Sequence, residues 1–178
     1  MSIKSIAVFC GSKSGNNPAY ESDAKAIGEI LAQKNITLIY GAGNKGIMGA
    51  VANAVLENNG NAVGIIPKLL QEQEHMHPTL TETFVVEDMH TRKKMIYEKC
   101  DAAIILAGGH GTLDELFEML TWNNLKIHEK QIFILNTAGF YDNLIAHIIK
   151  MYDEGFLYTN PTAQIKLLYA VDEILSFI

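Results

Sequence analysis

Short apolar runs alternate along this chain with longer segments in which apolar residues recur every three or four positions. The first pattern is typical of buried strands and the second of amphipathic helices. The short runs predict strands at Ser5 to Cys10, Ile36 to Tyr40, Asn61 to Ile66, Thr83 to Val86, Ala102 to Leu106 and Gln131 to Asn136. A further apolar run lies near Ile165 to Tyr169.

The longer segments predict a first helix that ends near Lys34. Further helices are predicted at Gly46 to Asn58, Met89 to Lys99, Gly111 to about Asn124 and Tyr141 to Asp153, and a short helix is predicted from Val171. Either Asp88 or Thr91 can cap the third of these helices. The polar stretch Lys68 to Glu82 is predicted to form a flap or an edge segment. Strands that alternate with helices form parallel sheets. We therefore expect a single-domain α/β fold with a doubly wound, Rossmann-like and mostly parallel sheet and helices on both of its faces. In such a fold, ligands bind at the carboxyl ends of the strands.

The composition fits one globular domain over residues 1–178 and argues against several functions. A net charge of -6 is unusual for a general nucleic-acid binder, which carries a basic surface. No segment has the length of a membrane span, and the run Ile6 to Phe9 is too short for a signal peptide. Cys10 and Cys100 lie far apart and outside any CxxC motif. We expect both to be reduced, in a cytoplasmic protein that binds neither nucleic acid nor membrane.

Residues 107–115 read AGGHGTLDE and directly follow the apolar run that ends at Leu106. The unpaired amides and positive dipole end of the helix that begins here favour an anion. Because the glycines have no Cβ, a phosphate can approach the backbone closely. Thr112 adds a hydroxyl, and Glu115 lies one turn further along the same face. A carboxylate beside an anion site would weaken binding, so the position of Glu115 favours a role in chemistry.

Residues 41–46 form a G-x-G-x-x-G motif between a strand and a helix, which is typical of dinucleotide sites. Here the motif follows the second strand, and the next strand ends in Ile65-Ile66-Pro67-Lys68 without an acidic residue to hold a ribose. Three interpretations stay open. The motif is a nicotinamide dinucleotide site, a tight turn for close helix packing, or a site for a mononucleotide or its sugar, which we favour.

Two further segments are candidates for ligand contacts. Cys10-Gly11-Ser12 is either an ordinary turn or, if the glycine turns converge, a place where Ser12 contacts a ligand. The segment 88–94 brings basic residues to a helix start, where the helix dipole disfavours cations. Arg92 gains little structurally from that position, so a functional role is an equal alternative to a solvated helix end. Lys93 and Lys94 are expected to face solvent.

The six histidines are dispersed along the chain. The His75-Met76-His77 segment lacks the carboxylate or cysteine that would complete a metal site, so we expect no metal. His110 lies inside the glycine turn and is predicted to face solvent or ligand. Trp122 is predicted to lie in the core or at a subunit interface.

Taken together, these segments resemble the LOG (Lonely Guy) family of cytokinin riboside 5′-monophosphate phosphoribohydrolases, whose bacterial members were long labelled lysine decarboxylases. The signature P-G-G-x-G-T-x-x-E is matched by residues 107–115, and M-H-x-R-K is matched by residues 89–93. The CGS start, the turn Y-G-G-G-x-x-G-x-M-G at residues 40–49 and a Thr-Trp pair at 121–122 also correspond, so the resemblance runs from about Val8 to Tyr141. Ala107 replaces the signature proline and Ala42 replaces a glycine. Neither change removes a polar group, but the loop at Ala107 is expected to be less rigid.

The resemblance implies that the chain hydrolyses the N-glycosidic bond of a purine nucleoside 5′-monophosphate, of adenosine or cytokinin type, to free base and ribose 5-phosphate, without a cofactor. It implies that Glu115 and Arg92 are catalytic. Glu115 would stabilise the oxocarbenium-like charge and accept a proton from water, and Arg92, which stays charged, would orient Glu115 or the substrate. The substrate-binding residues implied are Gly11, Ser12, Gly41, Gly43, Met89, Arg92, Lys93, Gly108, Gly109, Gly111 and Thr112.

Other classes remain open. A non-catalytic nucleotide- or cofactor-binding protein of the same fold, like the molybdenum cofactor carriers, would keep the glycine turns without needing Glu115 with Arg92. An NAD(P) oxidoreductase would need a ribose selector that we do not find, and a lysine decarboxylase would need a lysine for pyridoxal phosphate and a much larger chain.

The helices at 89–99 and 111–124 carry more apolar surface than one sheet face needs, and large apolar patches usually mark interfaces. Together with the resemblance, this predicts a two-fold homodimer whose interface adjoins the site. The apolar residues concerned are Met89, Met95, Ile96, Leu116, Phe117, Met119, Leu120 and Trp122.

Overall fold

The computed structural model describes residues 3–71 and 75–178, and within them seven parallel strands form one sheet. The strand order is β4-β3-β2-β1-β5-β6-β7. The strands are β1 (Ser5–Phe9), β2 (Thr37–Tyr40), β3 (Ala62–Pro67), β4 (Glu82–Val86), β5 (Ala102–Ile105), β6 (Gln131–Leu135) and β7 (Ile165–Leu168). Ala7 of β1 pairs with Ile39 on one side and with Ala103 on the other. The predicted α/β fold is confirmed.

Helices cover both faces of this sheet, as predicted. They are α1 (Ala19–Gln33), α2 (Gly46–Glu57), α3 (Met89–Lys99), α4 (His110–Asn124) and α5 (Asp142–Asp153). Ile27 of α1 and Val51 of α2 join one core cluster, while Ile96 of α3 and Leu116 of α4 join a second cluster on the opposite face. Each such buried side chain stabilises the fold by about 1.5–3 kcal/mol. Among the helices of the described ranges, none has both the length and the apolar character needed to cross a membrane.

Most predicted element bounds agree with the structure to within one or two residues. Helix α3 begins and ends as predicted. Its start is capped by Asp88, whose Oδ1 accepts a hydrogen bond of 2.7 Å from the Thr91 N–H. That hydrogen bond also holds the pKa of Asp88 below its usual value. The third strand extends one residue beyond the predicted end at Ile66: Pro67 is its last residue and pairs with Val86 of β4. Proline is accepted at such a terminal position because it lacks only the N–H.

The stretch between β3 and β4 is irregular, as predicted. It begins with a 3-10 turn at Lys68–Leu70, and Met76 forms an isolated antiparallel bridge with Gly43. His77 is buried with its Nε2 3.0 Å from Asn53 Oδ1 of α2, and burial lowers the pKa of His77. These contacts attach the stretch to the turn after β2. Residues 72–74 of the predicted flap lie outside the described residues.

The strand order reverses at β1, which lies between β2 and β5. The chain moves outward from β1 through β2 and β3 to β4, and α3 then returns it to β5 on the other side of β1. Ligands of doubly wound sheets bind at the carboxyl ends of the strands next to such a reversal. The loops after β1, β2 and β5 are therefore the ones that the topology brings together.

Candidate active site

A cavity of about 380 Å³ opens at the carboxyl ends of β1, β2 and β5. Its volume lies within the range of about 300–1,000 Å³ that is usual for small-molecule sites. The three predicted glycine turns converge on it. The predicted site residues that line it are Gly11, Ser12, Gly41, Met89, Arg92, Gly109, Gly111, Thr112 and Glu115.

The first turn of α4 forms the wall of the cavity that is suited to an anion. Helix α4 begins at His110, one residue before the prediction, and within the described residues no side chain caps it at Gly109. Its first amides are therefore available to a ligand. A Cβ placed at Gly109 or Gly111 would meet no described atom within 4 Å, so the backbone borders open space. Thr112 is buried and lines the same wall.

Gly108 supports this wall from behind and does not line the cavity. A Cβ at Gly108 would collide with Thr112 Oγ1 and lie 2.9 Å from the backbone nitrogen of Gly11. The Gly11 N–H in turn donates a hydrogen bond of 3.0 Å to the Ala107 carbonyl. Glycine at 108 thus lets the loop after β5 pack directly against the end of β1.

Arg92 reaches the cavity from the first turn of α3 and is 5% exposed. Its Nη2 donates a hydrogen bond of 3.2 Å to the Gly41 carbonyl, and its Nη1 lies 3.7 Å from Met89 Sδ. A Cβ at Gly41 would collide with the guanidinium. Glycine is therefore required at this position so that Arg92 can cross the end of β2 and present its charge to the cavity.

Glu115 lies one turn into α4 and lines the cavity together with the end of β1. Burial raises the pKa of the Cys10 thiol well above its usual value, and the negative charge of Glu115 raises it further. A thiol held in its protonated form is a poor nucleophile. Among the polar groups of this cavity, Glu115 and Arg92 are consequently better placed for chemistry than Cys10.

Lys93 does not line the cavity. Its Nζ lies 3.1 Å from Asp114 Oδ2 and 3.0 Å from Glu118 Oε2. Burial lowers the pKa of Lys93, but the hydrogen bonds and charges of Glu118 and Asp114 outweigh burial and raise it overall. The expectation that Lys93 faces solvent is wrong, since its side chain is 11% exposed. Lys94, with a side chain that is 67% exposed, does face solvent as predicted.

Gly43 also lies outside the lining of the cavity. A Cβ at Gly43 would lie 3.2 Å from Met48 Sδ, and Met48 itself lines the cavity. The motif at 41–46 therefore contributes Gly41 to the site directly, whereas Gly43 contacts the side chain that forms the wall. Ala42 between them has φ 67°, the left-handed conformation in which glycine is normally favoured.

Several lining residues were not among the predicted site residues: Val8, Phe9, Cys10, Met48, Leu70, His110 and Asp114. Met48 and Asp114 lie inside the two turn signatures, so their positions carried a signal. For His110, the sequence predicts only that the side chain faces solvent or ligand. Leu70 had no local signal, because it reaches the cavity from the irregular stretch after β3.

Comparison with known proteins gives a consistent result. The family model described as possible lysine decarboxylase matches residues 48–178. A probable cytokinin riboside 5′-monophosphate phosphoribohydrolase of Arabidopsis thaliana is 45% identical over 162 residues, which are 91% of this chain and 80% of that protein. A second cytokinin riboside 5′-monophosphate phosphoribohydrolase of the same plant is 43% identical over 162 residues, or 91% of this chain and 75% of the relative.

Solved structures share the fold at lower sequence identity. The molybdenum cofactor binding protein of the phototrophic bacterium Rippkaea orientalis matches with a TM-score of 0.72 at 19% identity, over 99% of this chain and 95% of that chain. At this identity the match establishes the architecture of the sheet and helices and does not bear on the ligand.

Proposed function

Because this chain belongs to the LOG family of cytokinin riboside 5′-monophosphate phosphoribohydrolases, we propose that it hydrolyses the N-glycosidic bond of purine nucleoside 5′-monophosphates. The products are the free base and ribose 5-phosphate. One observation carries this proposal: Arg92 and Glu115 line the same cavity as the open first turn of α4.

The first turn of α4 would hold the 5′-phosphate. Backbone amides at a helix start bind phosphate well, and Thr112 forms part of the same wall. A phosphate fixed there positions the ribose, so that its C1′ is presented to the groups across the cavity. Substrate binding thereby contributes to the rate as well as to affinity.

Glu115 would act on the reacting carbon. As the bond from C1′ to the base breaks, positive charge develops on the sugar, as in other glycoside hydrolyses, and a nearby carboxylate stabilises it. Glu115 also accepts a proton from the water that attacks C1′. In the overall reaction the hydroxyl of water ends on C1′, and a proton ends on the released base. Arg92 stays charged, and it orients Glu115 or the substrate and offsets negative charge.

The non-catalytic alternative is less well supported. A carrier needs the glycine turns, but it has no need for a carboxylate beside an anion site. Nor does the dinucleotide alternative gain support, since β3 ends in Ile65, Ile66 and Pro67 at the place where a ribose-binding acid would stand.

We propose in addition that the protein is a cytoplasmic homodimer. Cys10 and Cys100 are both free and buried, which supports a reducing compartment. Met89 of α3 and Phe117 of α4 are partly exposed apolar side chains on the two helices that carry Arg92 and Glu115, which supports an interface beside the site.

The direct test is release of free base by the purified protein from AMP and from isopentenyladenosine 5′-monophosphate, followed by chromatography. We expect turnover of at least one of them, and their ratio gives the base preference. Adenosine should have a kcat/KM lower by about a hundredfold or more, because charge-assisted hydrogen bonds to the phosphate, each worth about 1.5–3 kcal/mol, are lost. Equal kcat/KM for AMP and adenosine would eliminate the phosphate site, and release of base from neither nucleotide would eliminate the function.

A further inference from the structure

The loop that follows β5 is held from two directions. From the side of β1, the Phe9 carbonyl accepts a hydrogen bond of 3.0 Å from the Leu106 N–H, and the Gly11 N–H donates one of 3.0 Å to the Ala107 carbonyl. From the opposite side, the Tyr141 hydroxyl donates a hydrogen bond of 2.7 Å to the Leu106 carbonyl. This last hydrogen bond comes from the residue just before α5, which is 35 positions further along the chain.

Tyr141 is itself fixed in place. It is 2% exposed, and its backbone N–H donates a hydrogen bond of 2.7 Å to Asn136 Oδ1 at the end of β6. The Asn136 side-chain amide donates in turn to Asp142 Oδ1 at 2.6 Å. The ring also packs edge-on against Phe140, with ring centroids 4.7 Å apart. The hydroxyl is therefore presented to the loop by a rigid support.

The surroundings of the hydroxyl keep it protonated. Burial raises the pKa of Tyr141 far above its usual value. The phenol therefore stays protonated and can donate its hydrogen bond to the Leu106 carbonyl. This hydrogen bond lies directly before Ala107, where the family signature has a proline.

We infer that Tyr141 is a positioning residue for phosphate binding, since it holds residues 106–108 so that the first amides of α4 face the cavity. This inference rests on the proposed function for the identity of the ligand. Tyr141 does not line the cavity, so it acts through the loop and not through direct contact with a ligand. Its effect is to restrict a loop in which alanine has replaced the more rigid proline.

The test is the variant Tyr141→Phe, which removes one oxygen and keeps the ring. Binding of ribose 5-phosphate is measured by calorimetry, and circular dichroism melts set a temperature at which every variant is folded. We expect the Kd for ribose 5-phosphate to rise about threefold to tenfold, the effect of losing one neutral hydrogen bond. Adenosine, which lacks the phosphate, should bind with an unchanged Kd. Tyr152→Phe serves as the matched control, because Tyr152 is 38% exposed on α5.

A second substitution separates positioning from general destabilisation. Ala107→Pro restores rigidity to the loop, so Tyr141→Phe should weaken ribose 5-phosphate binding less in that background than in the wild type. An unchanged Kd in Tyr141→Phe, an equal loss for adenosine, or an equal loss in both backgrounds would each overturn the inference. Because binding is measured without turnover, a wild type that binds ribose 5-phosphate but releases no base would refute the proposed function and leave this test intact.

Discussion

Arg92 occupies a position that is unfavourable for a structural residue. The helix dipole destabilises a cation in the first turn of a helix. Arg92 is also only 5% exposed, so its charge loses favourable hydration. Its hydrogen bond to the Gly41 carbonyl offsets part of this cost. Residues that break local rules are concentrated at functional sites, which agrees with the role we propose for Arg92 beside Glu115.

At the scale of single residues, the sharpest prediction concerns Glu115. Glu115→Gln keeps the shape of the side chain but removes its charge and most of its basicity. We therefore expect kcat for AMP to fall by about a hundredfold or more, the usual contribution of a general base, with little change in thermal stability. Glu82→Gln on the exposed edge strand β4 is the control and should behave as the wild type. A Glu115→Gln enzyme that retains near-normal kcat would refute the assignment.

Residues whose signal is local could be predicted from the sequence. Arg92 was marked by its conflict with the helix dipole, and Glu115 by its spacing after the glycine turn. Leu70 lines the cavity and Tyr141 contacts the loop after β5. Neither could be predicted, because both positions depend on contacts between segments that are distant in sequence. Nothing in the sequence around Tyr141 indicates that its hydroxyl meets the Leu106 carbonyl.

At the scale of elements, Lys93 joins the two helices that carry the proposed catalytic residues. It follows Arg92 on α3, and it pairs with Asp114 and Glu118 on α4, which lie on either side of Glu115 in sequence. Tyr97, which lies on α3 with Lys93, donates a hydrogen bond of 2.7 Å from its hydroxyl to Glu118. The structure thus gives Lys93 a means of fixing α3 against α4, while its predicted substrate contact stays a prediction.

The variant Lys93→Met keeps the length of the side chain and removes the ammonium. If Lys93 fixes the helices, kcat for AMP should fall by about tenfold, since small displacements of catalytic groups are costly, while KM changes little. If Lys93 instead binds substrate, KM should rise and kcat should be retained. Lys94→Met, on the exposed side of α3, is the matched control. Steady-state kinetics on the two variants distinguishes these outcomes.

The bounds of helices and strands could be predicted from the sequence where a capping residue or a glycine turn marks the end of an element. Asp88 gave the start of α3, and the glycines after Leu106 gave the start of α4 to within one residue. Pro67 lay outside the predicted third strand because its pairing with Val86 depends on β4, a neighbour that the residues around Pro67 do not identify. The side of α3 that Lys93 occupies was missed for a related reason. It is determined by how α3 and α4 pack, and residues 88–94 alone contain no information on that packing.

At the scale of the whole molecule, the structure divides the apolar residues of α3 and α4 into two groups. Ile96, Leu116 and Met119 are fully buried within the chain, so the prediction that they add to an exposed apolar surface is wrong. Met89 and Phe117 are partly exposed, whereas Met95, Leu120 and Trp122 are half-buried against the core. The surface available for dimerisation is therefore narrower than the sequence indicated. Trp122 also packs against Tyr97, with ring centroids 5.1 Å apart, so replacing it would disturb the core as well as any interface.

Phe117 is consequently the best position at which to test the proposed homodimer. It is 36% exposed on α4, two residues after Glu115, and a charge at this position would face a partner subunit if the interface adjoins the site. We expect Phe117→Glu to shift the protein from dimer to monomer in light scattering and to lower kcat/KM for AMP in parallel. Leu120→Glu should act in the same direction but also destabilise the fold. Tyr169→Glu, at an exposed position after β7, should leave both mass and activity unchanged. A wild type that is monomeric and fully active at assay concentration would refute the dimer and would require each cavity to function with the residues of one chain.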